Sequence, residues 1–89
     1  MRLSVTWTAG GAQHGMQVHD DRLVYVLRDT AGRPTTHEIP AGSLETVDYS
    51  TVADRPVITL NERDGTKTSF PCPRKIARVL YPAIKWLTV

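Results

Sequence analysis

The chain is poor in cysteine, in phenylalanine and in long apolar runs. Its 89 residues hold one Cys and one Phe. A single Cys excludes an internal disulfide and a zinc site built from cysteines. No apolar stretch approaches the roughly 20 residues a membrane-spanning helix needs. The first residues, MRLSVTWTAGG, alternate in polarity where a secretory leader has a continuous apolar core. The expectation is a cytoplasmic protein with no transmembrane segment. Catalytic signatures are missing too. There is no Gly-x-Ser-x-Gly elbow, and Gly10-Gly11 is not followed by the Lys-Ser/Thr of a phosphate loop. The expectation is therefore a non-enzymatic protein without cofactor or metal.

What is present is the composition of a folded domain. Hydrophobic residues make up 40% and charged residues 22%, with a mean hydropathy of −0.27. A disordered chain is less apolar. The length allows one domain, residues 1–89, with a simple contiguous core.

Apolar positions mostly recur at period two, the signal of a half-buried strand. Val, Ile and Thr are abundant, and their stiff β-branched side chains suit a pleated surface. Leu3, Val5 and Trp7 define a first strand over 3–9, with Trp7 in the core. Gly10-Gly11 breaks it and opens a loop through His14. Met16 and Val18 mark a second strand over 15–19, and Asp20-Asp21 a turn. Leu23–Leu27 is continuously apolar, as in a strand over 23–28 covered on both faces or lying at a contact with a second copy. Further strands are expected over 35–39, 44–50 and 57–62, the last with Ile58 and Leu60 inward. Val52–Pro56 reads as loop. Asp64-Gly65 is a tight hairpin turn leading to a strand over 66–70.

The period then changes. Ile76, Val79, Leu80, Ile84 and Leu87 recur at three and four, the stripe of an amphipathic helix over 73–87. Pro73 suits its first turn. Pro82 removes the bond to the Arg78 carbonyl and is expected to kink or split the helix. The fold class is thus mainly β, with seven antiparallel strands in a curved sheet or open barrel capped by one C-terminal α-helix.

Charge is uneven. Residues 1–50 carry four basic and six acidic side chains, whereas 51–89 carry seven and three. The surplus gathers in Arg74, Lys75, Arg78 and Lys85, either as a solvated helix face or as a patch for an anionic partner. Tyr81 and Trp86 lie off the helix stripe. They either anchor a partner or widen the core face.

Few residues invite chemistry. His19-Asp20-Asp21 sets three possible ligands in a row, but a calcium loop spreads its ligands over about twelve residues. A turn with His19 toward solvent is the expectation. Cys72 stands between two prolines. It reads as a small, partly buried hydrophobe at a junction, although Arg74, Lys75 and a helix N-terminus would lower a thiol pKa if they faced it.

Several stretches resemble a known family. GMQVHDDRLVYV (Gly15–Val26), EIPAGSLETVDYS (Glu38–Ser50) and DGTKTSF before the final helix resemble the small bacterial form of the pleckstrin-homology-like domain. Trp86 sits in the last helix, where eukaryotic members carry a Trp. The resemblance implies seven antiparallel strands closed by a helix, used as a scaffold for phosphoinositides, peptides or protein partners. In lipid-binding members Lys and Arg flank the first loop. Here residues 10–14 contain neither, which points away from phosphoinositides.

Together these readings give a non-enzymatic interaction module that binds a protein partner or itself. Arg outnumbers Lys eight to three, a bias that suggests a regulatory or accessory protein of a bacterium or phage. The alternative is an anionic polymer or surface, nucleic acid or acidic membrane, held by the basic helix. The candidate contact residues are Tyr81, Trp86, Arg74, Lys75, Arg78 and Lys85.

Overall fold

The period-two segments form strands in the computed structural model, which describes residues 2–52 and 55–88, without the side chain of Val52. Seven strands precede one helix: β1 (Leu3–Ala9), β2 (Ala12–Val18), β3 (Arg22–Arg28), β4 (Pro34–Pro40), β5 (Leu44–Val52), β6 (Arg55–Glu62), β7 (Lys67–Pro71) and α1 (Arg74–Leu87). The strands divide into a four-stranded sheet, β1-β2-β3-β4, and a three-stranded sheet, β5-β6-β7. Every pairing is antiparallel. A single turn of 3₁₀ helix, Ala41–Ser43, carries the chain from one sheet to the other.

The alternation decides which side chains go inside. Met16 and Val18 of β2, Leu23 and Tyr25 of β3, Ile39 of β4, Ile58 and Leu60 of β6 and Phe70 of β7 share one core with Trp7. The Trp7 indole N–H donates to the Pro71 carbonyl at 2.8 Å and ties the two sheets together. β5 breaks strict alternation, because a bulge between Leu44 and Thr46 lets both Leu44 and Val47 face inward.

Several boundaries differ from the sequence reading. Gly10-Gly11 does not open a loop through His14. Both glycines have positive φ, 60° and 77°, and form a two-residue turn between the paired Ala9 and Ala12. Positive φ at both central positions matches the twist of the flanking strands. β2 therefore starts at Ala12, not at 15, and His14 lies within it. The loop expected over Val52–Pro56 is also wrong at both ends. β5 runs to Val52 and β6 begins at Arg55, with Thr51 opposite Pro56, while residues 53–54 lie outside the described part. β7 starts at Lys67 because Thr66 belongs to the turn. There its N–H donates to the Asp64 carboxylate at 2.8 Å and holds that carboxyl below its ordinary pKa.

Pro82 does not split the helix. α1 runs unbroken from Arg74 to Leu87, and Pro73 caps it from outside rather than entering its first turn. Tertiary packing wins over the local cost. Ala77, Leu80, Ile84 and Leu87 are buried, Ile76 is half-buried, and Pro82 sits on the exposed face. Val79, expected on the inward stripe, is half exposed instead. Helix α1 contacts β1, β5 and β6, so it touches both sheets. It is too short and too polar to cross a membrane.

Candidate functional site: a cationic groove between β5 and α1

β5 is an edge strand, and β6 is its one strand partner among the described residues. The helix crosses beside it and leaves an open groove of about 500 Å³. The lining residues are Tyr49 and Thr51 from β5 and Arg74, Ala77, Arg78, Tyr81 and Pro82 from α1. Helical spacing aligns the cations, since residues four apart share a face. The Tyr49 and Tyr81 rings approach to 6.1 Å at 45° and form the aromatic floor. Lys85, one turn further on, holds its ammonium 3.4 Å from the Tyr81 hydroxyl and 5.5 Å from the ring centroid. Two arginines and two tyrosines thus converge, with no acidic residue in the lining among the described residues. Among the described residues, Arg74, Lys75, Arg78 and Lys85 make no ion pair.

Three of the six residues singled out in the sequence line the groove: Arg74, Arg78 and Tyr81. Lys85 lies outside the lining but reaches Tyr81. The other two stand apart. Lys75 is exposed outside the groove lining. Trp86 lies on another flank, 46% exposed, with the Arg2 guanidinium 3.7 Å from the ring centroid. Tyr81 is half-buried against the core, so it both widens the apolar face and lines the groove. Sequence reasoning missed Tyr49 and Thr51. Tyr49 follows Val47 at period two and so shares its phase in β5, yet it is 38% exposed where Val47 is buried.

The histidines are occupied elsewhere. His14 is buried, stacked on Trp7 at 5.4 Å and 7°. Its Nε2 lies 3.2 Å from the Ala9 carbonyl and its Nδ1 2.8 Å from the Tyr25 hydroxyl. The carbonyl can only accept, so Nε2 donates and Nδ1 accepts from the tyrosine. Burial pushes the Tyr25 phenol up and keeps it a donor. His19 bonds Gln17 at 3.2 Å, and His37 meets Glu62 at 3.1 Å across the gap between sheets. Asp20 and Asp21 face Arg2 and Arg22. No cluster of three His, Cys, Asp or Glu is placed to hold a metal among the described residues.

Cys72 is buried, and desolvation raises its thiol pKa to about 11. Arg74 and Lys75 are exposed and do not offset this, so the activated-thiol alternative does not hold. A larger opening of about 540 Å³ beside Cys72 is lined by Ala9, Gly10, Pro56, Pro71 and Pro73, with Arg55 as its charged member. It has neither the converging cations nor the aromatic pair of the β5–α1 groove. Leu23–Leu27 lies in an interior strand. Leu23 and Tyr25 are buried, and Val24 and Val26 are half-buried on the outer face between β2 and β4.

Comparison with protein-family models, curated proteins and solved structures finds no match to this chain. The fold and groove define a class on their own terms: a mainly β domain of two antiparallel sheets closed by a C-terminal helix, with a cationic, aromatic groove beside a free strand edge.

Proposed function

We propose that the protein is a non-enzymatic, pleckstrin-homology-like interaction module that receives an extended acidic segment of a protein partner. Two sheets closed by a C-terminal helix support the kinship. The observation that carries the function is the β5 edge running beside Arg74, Arg78, Tyr49 and Tyr81. An incoming strand would bond to the backbone of β5, and the pleat would turn alternate side chains into the groove. Carboxylates there would meet two guanidiniums, each able to pair bidentately. Arg74 also stands in the first helical turn, where the helix dipole disfavours a cation and favours an anion. A bound carboxylate would relieve that mismatch.

Selection from a random displayed-peptide library tests this. The expected winners alternate Asp or Glu with apolar residues, and Arg74→Glu with Arg78→Glu abolishes their binding. An unenriched library, or winners indifferent to the double variant, would refute the reading. A second reading, an anionic polymer or surface, rests on four exposed cations along one helix. It requires single-stranded nucleic acid or phosphatidylserine vesicles to bind with an affinity that falls steeply with salt.

A further inference from the structure

Glycine weakens a strand interior, because it gives up the most backbone freedom and packs no side chain. Gly15 stands in the middle of β2, an interior strand, opposite Thr6 of β1 and Val26 of β3. The register is unbroken on both sides, so Gly15 forms no bulge. Its φ lies outside the left-handed region. A Cβ at this position would meet Thr6 Cγ2 at 3.6 Å and Val26 Cβ at 3.9 Å, which is ordinary van der Waals contact. Neither backbone conformation nor packing calls for glycine here. The remaining common reason for a glycine within a strand is that something comes close to its backbone.

What the missing side chain leaves is a notch of about 190 Å³ on the outer face of the four-stranded sheet, with Thr6 and Val26 on either side. Its two ends differ. Gln13 and Arg28, a directly opposed pair, close one end, and the opposed pair Ser4 and Gln17 close the other. Arg28 is exposed and makes no ion pair among the described residues. The neighbouring Asp29 carboxylate is taken up by the Ala31 and Arg33 N–H groups, each at 2.9 Å. Gln17 holds its Oε1 3.2 Å from His19 Nε2, which leaves its amide N–H groups for a ligand. Among the described residues no acidic side chain lines the notch.

We infer that this notch binds an acidic sugar, a single hexuronate ring whose carboxylate lies on Arg28. A pyranose ring has an apolar C–H face and a rim of hydroxyls. The C–H face would rest on the Gly15 backbone between the Val26 methyls and the Thr6 methyl. The hydroxyls both donate and accept, as do the amides of Gln13 and Gln17 and the Ser4 hydroxyl at the ends. The carboxylate meets a guanidinium able to hold both its oxygens. A drug-sized ligand fills about 300 Å³ or more, so the notch suits a small one. A neutral sugar lacks the anion for Arg28, and an alkyl carboxylate lacks the hydroxyls for the amides. The β5–α1 groove is built on the other sheet and shares no residue with the notch, so the two proposals stand or fall separately.

Titration of the full chain with the methyl glycosides of glucuronic, galacturonic and mannuronic acid, followed by amide proton and nitrogen shifts, tests the inference. At least one uronide should shift the Thr6, Gln13, Gly15 and Val26 signals to saturation, and its uncharged parent glycoside should bind about tenfold more weakly. Gly15→Ala separates the site from the fold. It should raise the melting temperature, because alanine restricts the unfolded chain, and yet weaken the uronide about tenfold or more by filling the floor. Arg28→Gln should keep the parent's melting and erase the preference for the uronide over the uncharged glycoside. The groove variant Arg74→Glu with Arg78→Glu should bind the uronide as the parent does. Three uronides without saturable shifts at the notch overturn the inference. So does a Gly15→Ala that melts lower, since the glycine would then serve the sheet itself, or one that binds undiminished. Loss of binding in the groove variant also overturns it, by reducing the effect to net charge.

Discussion

Single residues in this protein are governed by what their backbone phase does with them. Cys72 is the clearest case. In sequence it stands near two cations and a helix start, a setting that activates thiols. In the structure it faces the core, and desolvation outweighs the cations and raises the thiol to about 11. At pH 8 its thiolate fraction falls about a hundredfold below that of an ordinary cysteine. Ellman's reagent should therefore label the native protein at least that much more slowly than the urea-unfolded chain, and equal rates would contradict the burial. His14 shows the opposite lesson. It is in phase with Met16 and Val18 at period two, so its burial was legible. Gly10-Gly11 obscured it, because two glycines mark a long loop and a two-residue hairpin equally well. The buried His14–Tyr25 bond explains why a polar ring fits that phase: both its nitrogens are satisfied.

At the scale of elements, strand and helix identities were written in the periodicity, while their ends were set by pairing. The loop read over Val52–Pro56 is strand at both ends because Thr51 finds Pro56 across the ladder. No local residue preference encodes that. Pro82 is the sharper discrepancy. A proline in a helix interior costs about 3 kcal/mol relative to alanine. Leu80, Ile84 and Leu87 bury enough apolar surface around it to keep α1 whole. The cost is still present in the native state, offset partly by the proline's restriction of the unfolded chain. Pro82→Ala should therefore stabilise the protein by about 1–2 kcal/mol, read as a raised urea midpoint at unchanged slope. Pro82 is exposed, so no core contact is lost to confuse the result. A neutral or destabilising outcome would mean that the unpartnered Arg78 carbonyl is already satisfied elsewhere.

On the scale of the whole molecule, the sheets depend on each other through one core. Trp7 and Tyr25 come from the larger sheet and Phe70 from the smaller, and their rings meet at 5.7 Å and 4.8 Å. The helix closes that core from one side. This is also why the groove was only half legible: the sequence places Arg74, Arg78 and Tyr81 on one helix, but only the crossing of α1 over β5 brings Tyr49 and Thr51 to meet them. Ile84 is fully buried within the closing helix. Truncating it to Ala removes three carbons and leaves a void, at a cost of about 2–5 kcal/mol. If one core serves both sheets, that loss cannot be confined to the helix. Far-UV dichroism, which follows the strands, and near-UV dichroism, which follows the aromatic cluster, should shift together to one lower midpoint. Two separated transitions in Ile84→Ala would show that each sheet folds alone, and the groove would then lie between parts that move independently.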